Sequence, residues 1–419
     1  MFETISMIGL GYIGLPTATL FASRKKKVIG VDVSQHAVDT INQGKIHIVE
    51  PELDVLVQAA VSEGWLRATT KPEAADAFLI AVPTPFKDGH QPDLSYIESA
   101  SKAIAPVLKK GDLVVLESTS PVGATEQMAA WLAEARPDLT FPQQSGEEAD
   151  VQVAHCPERV LPGQVVRELV TNDRVIGGMT RKASEMAVAL YKTFVEGECI
   201  VTNARTAEMC KLTENSFRDV NIAFANELSM ICDAQNINVW ELITLANRHP
   251  RVNILQPGAG VGGHCIAVDP WFIVASNPDK AKIIRCAREV NDSKPKWALE
   301  KVKASILDVI SENPNMAIND VKVACLGLAF KPDIDDLRES PAVEITNSIA
   351  KLGCNVLVVE SNITSLPNSI NHPNVNQCNL EFALRESDIV CLLVKHKEFI
   401  AASHLFKNSK YRIDLVGIF

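Results

Sequence analysis

Hydrophobic and polar positions change period several times along this chain. Thr4 to Ile8 alternates as a short strand, and a helical pattern follows the next glycines to about Ser23. Lys27 to Val33 reads as a second strand, and Ala77 to Val82, Leu113 to Leu116 and Val151 to Ala154 as further ones, with turn residues beyond them. Ala204 to Gln235 contains neither glycine nor proline, and apolar residues recur there at helical spacing (Met209, Leu212, Phe217, Val220, Phe224, Leu228, Ile231). That pattern predicts one helix, roughly 45 Å long at 1.5 Å per residue. Such a helix outruns the face of one small domain, so it predicts a link between domains or a dimer interface.

Val239 to Asn247 and Ile283 to Ala304 read as further helices, and Asn313-Pro314-Asn315 as a boundary. Beyond it come a buried strand, Val321 to Gly327, a helix, Ala342 to Leu352, and a strand, Asn355 to Val359. Asp388 to Val394 and Tyr411 to Leu415 supply more strands. The alternation predicts an α/β protein.

A chain of 419 residues with 47% hydrophobic and 22% charged residues has the balance of a globular protein of two or three domains. Its net charge of −10 argues against a nucleic-acid partner, so any anionic ligand must be held by local cations. Ten cysteines occur without C-x-x-C pairs, which predicts neither a metal site nor a disulfide framework, and points to a reducing cytoplasm. No apolar run is long enough to cross a bilayer, which predicts no membrane partner. Ile5 to Ala22 is fairly apolar but lacks a positively charged leader, so it is not expected to be a signal peptide.

The glycines after the first strand have a more specific meaning. Strand, Gly9-Leu10-Gly11-Tyr12-Ile13-Gly14, helix, strand and then Asp32 is a βαβ dinucleotide fingerprint. Gly9 permits the tight turn, Gly11 brings backbone near a pyrophosphate, and Gly14 lets helix and strand pack closely. Asp32 suits a ribose and repels a 2′-phosphate, which predicts NAD over NADP. Tyr12, Ile13, Thr84 and Thr119 complete the candidate cofactor contacts; the last two follow strands, where open α/β sheets bind ligands. Glu158 and Arg159 lie on a loop expected to face the same crevice, although alone Glu158 would read as a solvated loop acid.

Arg251 to Pro270 holds four glycines in six positions (Gly258, Gly260, Gly262, Gly263), then His264-Cys265, with Asp269 four residues on. The density of glycine is hard to explain as buried packing, and it predicts close approach to a ligand beside a reactive thiol. The competing reading is a flexible loop beside an inert cysteine. Lys211 and Asn215 share one face of the long helix and suit oxyanion donors; alternatively Glu208 and Lys211 form an ordinary exposed helix pair. In the last third, the second βαβ unit lacks G-x-G-x-x-G and should bind something else; Lys331 and Arg338 are natural phosphate ligands there.

Taken together, Gly9 to Gly14 with Asp32, Ser118-Thr119 before Pro121, Pro157-Glu158, Glu208 through Lys211 to Asn215, Pro257 to Asp269, and Lys331 to Pro341 resemble the UDP-glucose/GDP-mannose dehydrogenase family along nearly the whole chain. The resemblance implies a Rossmann-type NAD-binding domain (1–200), a helical dimerisation and catalytic domain (201–312) and a Rossmann-like UDP-sugar domain (313–419). It implies oxidation of a sugar C6 alcohol to a carboxylate with two NAD, by a homodimer or higher homo-oligomer. Cys265 then becomes the nucleophile, Lys211 and Asn215 oxyanion stabilisers, and Asp269 with Thr119 handlers of water and protons, with Glu158 as general-base candidate. Glu158, Arg159, Lys211, Asn215, Arg218, Gly258, Gly260, Gly262, His264, Lys331 and Arg338 become substrate contacts, and Arg251 reaches a neighbouring subunit's substrate. Two departures stand out: Pro162 occupies the place of a second glutamate, and Val416 that of a basic residue. A β-hydroxyacid dehydrogenase would need neither Cys265 nor a third domain, and an NAD-sensing binding protein would need no chemistry at all.

Overall fold

The computed structural model describes residues 2–418 other than 49, 161, 162, 264 and 409, and not the side chains of 407 and 408. The chain divides into two compact units, Met1–Glu214 and Asn215–Phe419.

In the first unit, eight strands form one sheet: β1 Thr4–Ile8, β2 Lys27–Val31, β3 Leu66–Thr69, β4 Ala77–Ile80, β5 Leu113–Leu116, β6 Gln152–His155, β7 Arg174–Gly178 and β8 Cys199–Asn203. Their spatial order is β8-β7-β6-β5-β4-β1-β2-β3. All neighbours pair parallel except β6 with β7. The order from β3 to β6 is that of a dinucleotide-binding sheet. Strands β4, β5 and β6 are buried throughout, because helices cover both faces of a parallel sheet; two apolar clusters fill the layers. The continuous apolar runs at β4 and β5 were readable for that reason. Strands β7 and β8, and the helices Gln35–Asn42, Leu53–Ser62 and Arg181–Tyr191, have weaker patterns and formed no part of the sequence-based reading.

The second unit holds a five-stranded, all-parallel sheet: β9 Lys322–Leu326, β10 Asn355–Val359, β11 Val375–Gln377, β12 Ile389–Leu392 and β13 Tyr411–Asp414, in the order β11-β10-β9-β12-β13. Its core takes in Ala298, Val302, Ile306 and Val309 from a helix that precedes the sheet. That helix, Lys282–Glu312, is longer than the expected Ile283 to Ala304 and contains Pro295. It matches Ala204–Ala234 at 31 residues, so the chain has two very long helices rather than one.

Along Ala204–Ala234, Phe217, Phe224 and Ile231, spaced by seven, are 68%, 54% and 48% exposed rather than turned to the core. The alternative of an exposed Glu208–Lys211 pair does not hold. Glu208 is buried and accepts from the Gly123 and Thr125 amides (2.7 and 2.8 Å) and from the Thr125 hydroxyl (2.6 Å). It therefore satisfies amides that open the helix Ala124–Ala135, which has no side-chain cap of its own. Glu208→Ala should cost about 2 kcal/mol of stability, since it strands three donors; a urea midpoint equal to that of the wild type would refute this role.

Candidate functional site

The first glycine loop is shaped by its own strands and helix. Gly9 has φ +91°, and a Cβ there would lie 2.5 Å from the Ala81 carbonyl oxygen. A Cβ on Gly14 would collide with the Gly9 carbonyl, whereas a Cβ on Gly11 would meet nothing within 4 Å. Two glycines therefore serve the turn and the packing, and the third leaves room above the loop. Leu10 N–H donates to Asp32 Oδ2 and Ser34 N–H to Oδ1, both at 2.9 Å, which orients the carboxylate just beyond β2. Tyr12 is exposed and Ile13 half-buried.

Across the sheet, Ser118 Oγ donates to the Val82 carbonyl at 2.7 Å and ties the loops after β4 and β5 together. Thr84 and Thr119 are half-buried on those loops. The Thr84 hydroxyl oxygen is buried without a hydrogen-bond partner among the described residues, as expected of a group that waits for a ligand. The open face of Gly11, the anchored Asp32 and this hydroxyl fit a dinucleotide. His47, not singled out in the sequence, lies near Asp32; burial lowers its pKa against the pull of the Asp32 charge. No motif marks it.

Glu158 is not a solvated loop acid. It is 7% exposed, with Oε2 3.0 Å from Arg174 Nη2 and Oε1 accepting from the Arg159 amide at 2.7 Å. Arg174 is itself buried and stacks 4.7 Å over the Tyr191 ring, whose hydroxyl donates to Glu117 Oε1 at 2.6 Å. This cluster escaped notice because its members come from β5, β7 and the helix Arg181–Tyr191, far apart in sequence. Burial pushes Glu117 up to about 7, although the charge on Arg174 pulls the other way. Arg159 turns outward to Glu214 at 2.6 Å. Pro162 lies outside the described residues.

In the second unit the cysteine loop leads into the helix Asp269–Ser276. The Cys265 carbonyl accepts from the Val268 and Asp269 amides at 3.1 and 2.8 Å, so residues 265–268 form a turn that aims into the helix. Of the ten cysteines, Cys265 and Cys286 are exposed. Asp269 is buried, and the Asn215 amide donates to its Oδ2 at 2.5 Å. Asn215, Asp269 and the Cys265 backbone are thus brought together. Lys211 is half-buried one turn before Asn215 on the long helix, and Arg218 and Arg251 are exposed. His264 lies outside the described residues.

The glycines of this loop have a different cause from the one expected. A Cβ on Gly262 would collide with the Glu339 carbonyl and lie 2.8 Å from Phe330 Cβ; one on Gly263 would lie 2.9 Å from the Phe330 ring. Gly260, at φ +144°, lies against Pro341 and Pro295. The Gly263 amide donates to the Arg338 carbonyl at 3.1 Å. These glycines are needed for packing within the chain, which corrects the expectation that buried packing explains their density poorly. Gly258 differs: a Cβ there would meet nothing within 4 Å.

Arg338 is exposed and pairs with Asp336 at 2.6 Å, and Lys331 is half-buried. At the end of β10, Glu360 occupies the place that Asp32 has after β2. Its carboxylate is buried and bonded to the Leu328 and Ala329 amides (2.7 and 3.1 Å) and to His396 Nε2 (2.9 Å). The acid is consumed internally, consistent with the missing glycine fingerprint. Gly417 lies under the Trp240 ring, and Asp414 accepts from the amides of Val416, Gly417 and Ile418. Among the described residues no cluster of His, Cys, Asp or Glu could hold a metal ion, and no helix is long and apolar enough to cross a membrane.

Three family domains match the chain in order: the NAD binding domain over residues 3–195, the central domain over 205–293 and the UDP binding domain over 324–419. The chain belongs to the UDP-glucose/GDP-mannose dehydrogenase family. Its cofactor is NAD. A Yersinia pestis protein named UDP-N-acetyl-D-mannosamine dehydrogenase is 66% identical over 418 residues, covering 100% of this chain and 99% of its own. A Ralstonia nicotianae NDP-N-acetyl-D-galactosaminuronic acid dehydrogenase is 67% identical, covering 100% and 96%. The solved UDP-D-ManNAc dehydrogenase of Pyrococcus horikoshii aligns with a TM-score of 0.86 at 38% identity, covering 99% and 96%. Family membership makes the chain a nucleotide-sugar dehydrogenase.

Glu117 gives a pH signature. A carboxyl raised from 4.5 to about 7 in the folded state favours folding while protonated, so that stability is complete below the unfolded value and is lost as pH rises toward 7. The loss should approach about 3 kcal/mol. Glu117→Gln should flatten the melting temperature between pH 5 and pH 8 (about neutral on either side); an unchanged pH slope would contradict the assignment.

Proposed function

We propose that this enzyme oxidises the C6 alcohol of UDP-N-acetyl-D-mannosamine to the carboxylate, in two oxidations linked by a thiohemiacetal on Cys265 that the second converts to a thioester, for surface-polysaccharide synthesis. The observation that carries the chemistry is the exposed Cys265 at a turn whose carbonyl accepts the amide of Asp269, itself bonded to Asn215. NAD, when bound, accepts one hydride in each oxidation. The Cys265 thiolate adds to the C6 aldehyde, and the carbon–sulfur bond keeps the intermediate from leaving between oxidations. Lys211 and Asn215 stabilise the oxygen that becomes negative in the tetrahedral species. Oxidation of the thiohemiacetal leaves a thioester; water, held by Asp269 and Thr119, attacks it and releases the acid and the thiolate. Glu158, its carboxyl held against Arg174, is the general-base candidate of this sequence.

The domains divide the work: 1–200 for NAD, 201–312 for dimerisation and chemistry, 313–419 for the UDP moiety, with Lys331 and Arg338 on its phosphates. The remaining substrate contacts are Arg159, Arg218, Gly258, Gly260, Gly262 and His264, with Arg251 serving a neighbouring subunit. The sugar rests on full-length relatives at 66% identity whose name specifies N-acetyl-D-mannosamine. A second reading, an N-acetylgalactosamine nucleotide, is favoured by the equally similar Ralstonia relative. Ten cysteines without a disulfide suit a reducing cytoplasm.

Incubation with UDP-ManNAc, UDP-GalNAc, UDP-GlcNAc and UDP-glucose should give two NADH per sugar, fastest with UDP-ManNAc and without free aldehyde. Cys265→Ala should bind UDP and NADH normally, while acid formation falls by about four orders of magnitude. Near-normal turnover of that variant, or a stop at one NADH, would sink the thioester route. The exposed stripe Phe217, Phe224 and Ile231 supports a homodimer. Sedimentation at micromolar concentration should show a dimer that Phe224→Asp dissociates; a wild-type monomer would contradict it.

A further inference from the structure

A buried polar network runs between the two 31-residue helices and ends on the cysteine loop. Asn226, fully buried on the first helix, accepts from the Gly258 amide at 2.9 Å and donates to Asn291 Oδ1 at 2.9 Å. Asn291 donates to Asp219 Oδ1 at 2.8 Å and to the Asp219 carbonyl at 3.1 Å. Asp219 Oδ1 also accepts from Arg288 Nη1 at 2.7 Å. The same Nη1 reaches the carbonyl of Ile266, the residue after Cys265, at 3.5 Å. Four side chains thus join one end of the loop, Gly258, to the other, Ile266. All four are among the residues that family motifs and sequence spacing left without any role.

Stability is a poor explanation for this arrangement. Asp219 and Arg288 are 0% and 2% exposed, and Asp219 Oδ2 and Arg288 Nε lack hydrogen-bond partners among the described residues. A buried ion pair with unmet polar atoms stabilises less than an apolar core of the same volume. Gly258, moreover, needs no glycine for packing, so its tie to Asn226 is what fixes that end of the loop.

We infer that Asn226, Asn291, Asp219 and Arg288 are positioning residues that clamp the Gly258 and Ile266 ends of the loop and so set where the Cys265 thiol is held. The inference rests on Cys265 being the nucleophile. Small displacements of a reacting atom are costly in rate, so the backbone on either side of the thiol has to be fixed. The clamp acts on the loop backbone, and none of its four residues is among the phosphate contacts Lys331 and Arg338 or the cofactor contacts proposed above.

The test combines exchange and kinetics. Hydrogen exchange of the wild type, read by mass spectrometry, should show the Gly258 amide protected despite its place in an irregular loop. In Asn226→Ala that protection should disappear, and kcat with UDP-ManNAc should fall about 10- to 100-fold. UDP and NADH affinities should stay within about threefold. Asn291→Ala should behave alike, and the double variant should be no worse than the more damaging single one, because both act through one chain of bonds. Rapid exchange at Gly258 in the wild type overturns the clamp without requiring any variant to fold. Additive losses, or a lowered melting temperature with unchanged kcat per folded enzyme, overturn it too. Cys265→Ala with normal turnover would instead remove the nucleophile, leaving the exchange result to judge the clamp alone.

Discussion

A loop made mostly of glycine cannot hold its own shape, and the second unit is built around supplying that shape from outside. Phe330, Glu339 and Pro341 press on Gly260, Gly262 and Gly263 so closely that a side chain at Gly262 or Gly263 would collide and one at Gly260 would crowd Pro341. Pro295 closes another side from within the helix Lys282–Glu312, and Asn226 takes the Gly258 amide. The entropy that glycine brings to the unfolded chain is large, and only this enclosure makes one conformation dominant. The turn at residues 265–268 then follows, with the exposed thiol at its start and Asp269 buried at the head of a helix.

The contact between the Gly263 amide and the Arg338 carbonyl has a mechanical meaning. Residues proposed to meet the UDP phosphates and residues proposed to carry the chemistry belong to one hydrogen-bonded assembly. Binding energy from the nucleotide, far from the reacting carbon, can therefore bear on the geometry of the cysteine loop, which is how remote substrate groups raise turnover. The first unit uses a simpler device. Gly9 and Gly14 are packed tightly against backbone, Gly11 is left open, and Asp32 is oriented by the loop's own amide.

Several buried charges are held in company. Arg174 is shared by Glu158 and the Tyr191 ring, Arg288 by Asp219 and Asp292, and Glu360 by His396 and two backbone amides. Glu117 is the counterexample: one oxygen is bonded to Tyr191 and the other has no partner among the described residues, and burial raises its pKa to about 7.

Local patterns were enough to determine the α/β class, the dinucleotide loop with Asp32, both βαβ units and the long helix from Ala204. Each of these depends on residues within about 30 positions of one another, where period and turn chemistry act directly. The resemblance to the nucleotide-sugar dehydrogenases was legible for the same reason, since its motifs are short and ordered. What the sequence alone misjudged were roles that depend on distant partners. The alternative of a surface pair for Glu208 stayed open because nothing nearby in sequence reveals that its carboxylate meets Gly123 and Thr125. Glu158 taken alone would read as a solvated acid because Arg174 comes from another strand. The glycine run read as a ligand-facing nest because Phe330 and Pro341, some seventy residues on, are what it packs against. Asn226, Asn291, Asp219 and Arg288 carried no signal at all. A polar side chain on a helix reads as solvated until a second helix buries it, and that desolvation is a property of tertiary packing.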